Sequence, residues 1–232
     1  MYQPQSQNDH PLARAFIATI KDTAFPCVGA KSALAKGQMD IIVARDLRSA
    51  WDDLRILPML GDTVRKYHED RAIFRTLVVL FEGPADSATH LSEEEFEAHL
   101  WARAQSLSDK DAWLGHRPDP SVSADPDDPH FSLSFSGEAF FVVGLHPQAS
   151  RPARRFEAPA MVFNLHDQFE VLRTQQSYDK LRTSILARDL ELAGSMNPML
   201  ARHGESSEAR QYSGRVVDDS WKCPFKRSSA HG

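Results

Sequence analysis

"HFSLSFSGEAFFVVGLH", residues 130–146, is the stretch on which the fold turns. Phe131, Leu133 and Phe135 alternate with serines, the period-two pattern of a half-buried strand, and "EAFFVVGL" is an apolar run of strand length. The two runs meet at Ser136 to Glu138, where Gly137 supplies a tight turn, so the stretch predicts a β-hairpin. A further run of the same kind, Met161 to Leu165, predicts a third strand. The C-terminal half therefore centres on an antiparallel sheet. With helices on at least one face, the chain is expected to be a single α+β domain over residues 1–232.

Outward from the hairpin, the remaining elements follow from periodicity. Leu12, Phe16, Ile17 and Ile20 share one helical face in a segment that ends before Pro26. "QMDIIVARDL" holds a short β-branched run that predicts a strand. Leu47, Trp51, Leu54 and Leu57 then stand at helical spacing, with Pro58 expected to break the helix. "RTLVVLFEGP" predicts a buried strand closed by Gly83 and Pro84. Ser92 with Glu95 three residues on has the form of a capping box, opening a helix through Phe96, Leu100, Trp101 and Ala104. Residues 115–130, rich in proline and aspartate, read as a surface loop that could act as a lid. A long helix is expected to open near Asp167 and to carry Phe169, Leu172, Leu181, Ile185 and Leu190. The tail from about residue 197 is expected to be loosely ordered apart from an anchoring "WKCPF".

Composition narrows the classes. At 232 residues with 41 % apolar and 9 % aromatic content, the chain can bury a sizeable core. A net charge of -5 argues against a nucleic-acid partner. The longest apolar run falls far short of a membrane span, and the N-terminal residues lack the apolar segment of a secretory leader, so a cytoplasmic location is expected. Cys27 and Cys223 are then expected to be free thiols. Glycine-rich nucleotide loops, a C-x-x-C pair, an H-E-x-x-H helix and a G-x-S-x-G elbow are all missing from the sequence.

The residues left to carry chemistry are two histidines and three arginines. His146 ends "FFVVGLH" and His166 ends "MVFNLH"; if these strands lie side by side, both imidazoles are expected at the same edge of the sheet. A strand-end histidine also serves commonly as a hydrogen-bonding loop residue. Arg151, Arg154 and Arg155 form a cluster that could grip a dianion such as the two propionates of a haem or a phosphorylated ligand. The same three could equally be a solvated turn paired with Glu157, Asp167 or Glu170. Each cysteine sits beside proline and an aromatic, which suits either a thiolate ligand or a small buried side chain.

"FPCVGAKSALAKG", "FSLSFSGEAFFVVGLHPQASRPARRF", "MVFNLHDQFEVLR" and "WKCPF" together resemble the YqcI/YcgG family of bacterial proteins, over most of the chain from Phe25 to Phe225. Members of that family include haem-dependent N-oxygenases acting on guanidino nitrogens. The resemblance implies an enzyme that binds haem b, takes O2 and electrons from an external donor or reductase, and N-hydroxylates a small-molecule amine or guanidino substrate. Carried onto this sequence, it implies His146 as the iron ligand, Arg151, Arg154, Arg155 and Asn164 as cofactor-binding residues, and His166 and Glu170 as catalytic residues. His166, Cys27 and Cys223 remain alternative iron ligands, and Asp167 and Glu82 alternative carboxylates for a guanidinium. A non-catalytic haem carrier or gas sensor with both histidines on iron is the alternative function. A haem-free module that binds an anion through the arginines is a third. A homodimer sealed by "WKCPF" is also expected.

Overall fold

The computed structural model describes residues 9–71, 74–83, 91–174, 178–199 and 204–226. The hairpin forms as its sequence predicts: β3 (Leu133–Phe135) and β4 (Glu138–Leu145) are antiparallel partners, joined through Ser136 at φ 52° and Gly137 at φ 82°. Two successive positive φ values are the signature of the turn whose twist matches paired strands, and glycine tolerates it without strain. β4 then pairs antiparallel with β5 (Ala160–Leu165), with Phe140 opposite Leu165 and Leu145 opposite Ala160.

The sheet is completed by β1 (Met39–Ala44) and β2 (Thr76–Phe81) in the order β1-β2-β5-β4-β3. β2 pairs antiparallel with β5, whereas β1 joins β2 in parallel, so the sheet is mixed at one edge. The parallel pair needs a crossover, and α3 (Asp53–Glu69) provides it. β2 lies in the sheet interior and is covered on both faces, which explains why its six residues are all buried and why its sequence does not alternate.

Helices cover both faces. On one, α3 and α4 (Glu93–Trp113) pack on Val79, Phe81, Phe140, Val142 and Phe163. α4 opens with the expected capping box, Ser92 Oγ accepting from Glu95 N and Glu95 accepting from Ser92 N. On the other, α1 (Pro11–Lys21) and α2 (Val28–Ala35) cover Ile41, Val78, Leu80 and Leu145. Strand alternation assigns each residue of β4 to a face: Phe140, Val142 and Gly144 toward α4, and Phe141, Val143 and Leu145 toward the opposite helices.

Three expectations are revised. Pro58 does not end its helix: α3 runs through it, and because Leu54 and Pro58 lie exposed, the carbonyl that loses its N–H partner faces water. The region after β5 holds two helices, α5 (Asp167–Thr174) and α6 (Tyr178–Ala193), rather than one. The tail beyond residue 204 is built into the core. The short α7 (Ala209–Tyr212) buries Tyr212 against Trp101, and Phe225 packs between Trp101 and Phe131. "WKCPF" is thus consumed within the chain, which removes the argument for a dimer that rested on it. Among the described residues, no helix is long and apolar enough to cross a membrane.

Candidate functional site

The face of the sheet opposite α4 is incompletely filled. Between Phe141, Val143 and Leu145 below and α1, α2 and α6 around it lies a cavity of about 260 Å³, walled mostly by apolar side chains. Its floor spans four residue steps of β4, about 13 Å of strand. Small aliphatic and glycine positions on α2, Gly29, Ala30 and Ala33, keep the helix from filling the space.

One end of the cavity is cationic. Residues 152–154 form a 3₁₀ turn, in which positions three apart eclipse, so Arg151 and Arg154 both reach the cavity wall. Arg155 falls off this side: it is exposed, and its guanidinium donates to the carbonyls of Ala149 and Ser150 at 2.7 and 3.1 Å. The cluster of three therefore supplies two arginines to the cavity. Arg151 is held by Asp189 of α6 and by Ser195, whose Oγ and carbonyl accept at 3.1 and 3.0 Å, while its Nε is buried without a hydrogen-bond partner. Arg154 donates to the carbonyls of Gly144, Tyr212 and Gln211 at 3.1 to 3.3 Å, tying α7 to β4. Burial lowers its guanidinium to about 10, which leaves it charged at neutral pH.

Cys27 shares this region. It is the N-cap of α2, its Sγ accepts from Ala30 N at 3.4 Å, and it lines the cavity. Burial pushes the thiol upward, opposed by the amides of Ala30 and Gly29 and by the charge of Arg154. The far end is amide-rich. Asn164, which faces the cavity from β5, donates to the Phe141 carbonyl at 3.4 Å. Gln168 of α5 is 1 % exposed, and neither atom of its side-chain amide has a hydrogen-bond partner.

The two histidines are not brought together. Adjacent antiparallel strands end at opposite edges of a sheet, so His146 and His166, each following its strand, stand about 20 Å apart along it. They also differ in face. His146 continues the Phe140, Val142, Gly144 series and stacks on Phe96 of α4 with ring centroids 4.3 Å apart. Its Nδ1 is buried without a hydrogen-bond partner, and burial lowers the imidazole to about 4. His146 therefore lies on the side of the sheet away from the cavity, because it shares the parity of Phe140, Val142 and Gly144 rather than that of Phe141, Val143 and Leu145.

His166 lines a second chamber of about 190 Å³, separated from the first by Phe141, Phe169, Leu181 and Ile185. Its Nε2 is 3.6 Å from Glu208 and 4.0 Å from Glu170. Glu208 is buried and accepts from Ser132 Oγ at 2.5 Å. Glu170 is engaged by Arg173, whose guanidinium also lies over the Tyr178 ring. The alternative carboxylates lie elsewhere: Asp167 binds Tyr67 and Arg71, and Glu82 pairs with His10. Cys223 packs on the α4 side, where burial pushes its thiol up to about 12. The loop 115–130 contributes nothing to either chamber; its Asp119 accepts from Ala139 N and its Pro126 and Pro129 carbonyls from the 204–207 segment.

Asp189, Ser195 and Glu208 are site residues the sequence reading missed, whereas Gln168 lies in the block that carries the family resemblance. The cluster of Arg151, Arg154 and Arg155 signalled the cationic end, but its partners come from segments about 40 to 60 residues away. Among the described residues, no group of three or more His, Cys, Asp or Glu forms a metal cage.

Residues 16–226 match the family described as the YqcI/YcgG family. Two relatives from Bacillus subtilis (strain 168) are similar: "Uncharacterized protein YcgG", 29 % identical over 217 residues, covering 89 % of this chain and 83 % of the relative, and "Uncharacterized protein YqcI", 25 % identical over 217 residues, covering 89 % and 82 %. No solved structure matches the chain.

Proposed function

The chain belongs to the YqcI/YcgG family, and on that premise we propose that it is a haem-dependent oxygenase that N-hydroxylates a guanidino or other amino nitrogen of a small molecule. The observation that carries this reading is the 260 Å³ apolar cavity with two arginines at one end. A haem needs apolar walls for its macrocycle, cations for its propionates and a donor for its iron. The cavity fits on all three counts. Its walls are apolar, Arg151 offers a buried Nε with no partner, and Cys27 supplies a sulfur.

Haem, when bound, supplies the activation of O2 with electrons from an external donor. The protein's own part is binding, orientation and exclusion of water. Arg151 is pre-organised by Asp189 and Ser195, so little side-chain entropy is lost when it takes a carboxylate. Arg154 adds positive potential while bracing β4 against α7. Phe141, Val143, Leu145 and Phe169 keep water from the reacting nitrogen. The Asn164 amide, which lines the cavity, orients polar substrate atoms. In the second chamber, Glu208 beside His166 offers a buried carboxylate for a cationic substrate group and a proton-holding site at Nε2.

The carrier or sensor reading with two axial histidines loses its support, since one iron cannot reach both residues across the strand pair. Two measurements test the proposal. Protein titrated with hemin is expected to give a saturable Soret band at one equivalent. Supplied with reductase, NADPH, O2 and a panel of guanidino compounds including L-arginine, it is expected to yield a product heavier by one oxygen atom. Protein that stays colourless would overturn the reading in favour of a haem-free anion site. Bound haem without any product across amines and guanidines would leave a carrier.

A further inference from the structure

We propose that α6 is a lid over both chambers, latched at its C-terminal end by Arg151, and that small molecules enter when this latch opens. The inference concerns access to the cavity and holds for any occupant, so it does not rest on the haem reading.

α6 roofs the two chambers with adjacent stripes of one helix. Leu181, Ile185 and Asp189, four residues apart, line the first cavity, and Tyr178, Arg182 and Leu186, also four apart, line the second. Leu181 and Ile185 belong to the partition as well, whose other half is Phe141 of β4 and Phe169 of α5. Lifting α6 therefore opens both spaces and merges them.

The helix is thinly packed along its length. Of its 16 residues Asp189 alone is buried, whereas α4 buries Phe96, Leu100, Trp101 and Leu107. The apolar side chains of α6 face open volume, so they forgo the dispersion contacts that fix a core helix. Its packing is on α2, α5 and the 3₁₀ turn at residues 152–154. Segments with few buried apolar contacts are those that open locally at the least cost.

The latch sits at the C-terminal end. Arg151, at the start of the 3₁₀ turn behind β4, binds the carboxylate of Asp189 and donates to Ser195, whose Oγ and carbonyl accept at 3.1 and 3.0 Å. Gly194 makes this double grip possible: at φ 70° it reverses the chain just past the helix, while its N–H donates to the Leu190 carbonyl at 2.8 Å. Asp189 and Ser195 thereby meet one guanidinium. Because the pair is buried, either charge left without its partner would be desolvated and unmatched, so the latch is engaged or open rather than half-released. The other end of α6 is tied by a softer contact, Arg173 over the Tyr178 ring at 4.7 Å.

The test is hydrogen exchange on the full-length protein, read by mass spectrometry without ligand. Residues 178–193 are expected to exchange faster than α4, and Asp189→Asn to speed them about tenfold while β4 and β5 are unchanged. Arg188→Ala, at an exposed neighbour on the same helix, should change nothing. Access to the cavity is read in a Cys223→Ser background, where Cys27 on the wall is the reporter. N-ethylmaleimide should label it about tenfold faster once Asp189→Asn is added, and at the parent rate with Arg188→Ala. Should Asp189→Asn fold poorly by far-UV circular dichroism, Ser195→Ala removes only the Oγ contact and is expected to speed exchange in α6 about threefold. Exchange in α6 that matches α4 and ignores both substitutions would make the helix a fixed wall and overturn the lid. Faster exchange spread over β4, β5 and α1 would mean that the ion pair supports the whole fold, and overturns the latch. Both readouts use protein without haem, so failure to bind hemin would overturn the haem reading and leave the lid standing.

Discussion

His146 and His166 follow neighbouring antiparallel strands yet occupy opposite edges and opposite faces of the sheet, His146 stacked on Phe96 of α4 and His166 beside Glu208 in the second chamber. No single metal or substrate can engage both. The chemistry of the molecule is divided accordingly, and the division has measurable consequences.

The buried imidazole of His146 makes stability depend on pH. Its pKa falls from an ordinary 6.5 to about 4 because burial and the nearby Arg154 disfavour the cation more than Glu93 favours it. The unfolded chain then binds the proton more readily, so stability is full above about pH 6.5 and is lost as pH falls toward about 4, with a limit of about 3 kcal/mol. His146→Phe keeps a ring on Phe96 and removes the titration. Urea unfolding at pH 7 and at pH 5 should show a smaller acid loss in the variant than in the parent. An equal loss in both would refute this account.

Arg151 and Arg155 should separate in function. Removing a charge-assisted donor costs about 1.5–3 kcal/mol, so Arg151→Ala is expected to weaken hemin binding about tenfold or more. Arg155→Ala should leave it within about twofold, because that side chain only bonds Ala149 and Ser150 outside the cavity. Hemin titrations followed at the Soret band read both. A comparable loss in the two variants would mean that the arginines act through bulk charge.

Gly144 marks where helix and sheet come closest. A Cβ there would stand 2.7 Å from Leu100, 2.8 Å from Phe96 and 2.9 Å from the Tyr212 carbonyl. Gly144→Ala should therefore push α4 and α7 outward and cost about 1–3 kcal/mol, read as a lower urea midpoint at unchanged slope. No drop in midpoint would mean that the helices yield more easily than their packing implies.

Glu97 fastens the C-terminal segment. It accepts from Ser213 Oγ at 2.9 Å, Arg215 Nε at 3.0 Å and Trp221 Nε1 at 3.3 Å. Glu97→Ala should free the strap without unfolding the sheet. In a Cys27→Ser background, thiol reagent should then label Cys223 about tenfold faster than in the protein with Glu97 intact. Unchanged labelling would shift the anchoring role to Phe225.

The hairpin, the capping box at Ser92 and the strand at Thr76–Phe81 were legible because each rests on local rules: pleat alternation, a turn that needs positive φ, a side chain that caps its own helix. The helix through Pro58 was misread because whether a missing hydrogen bond matters depends on which side of the helix meets water. The tail was misread because Tyr212 and Phe225 draw their order from Trp101 and Phe131, which no local pattern announces. Cys27 looked like a small buried side chain, since only the fold reveals that its helix end opens into space.

By itself the sequence determined the hairpin, the strands at Thr76–Phe81 and Ala160–Leu165, the capped helix at Ser92 and an arginine cluster just after β4. These depend on contacts within a few residues or on apolar patterning. Only the tertiary structure decided that the two histidines part, that Cys27 and Gln168 share one cavity with those arginines, and that Asp189 and Glu208 complete the two chambers. Face and edge are properties of strand order and parity. A strand carries its alternation in its own residues, but which side is left unfilled is set by the helices that pack against it.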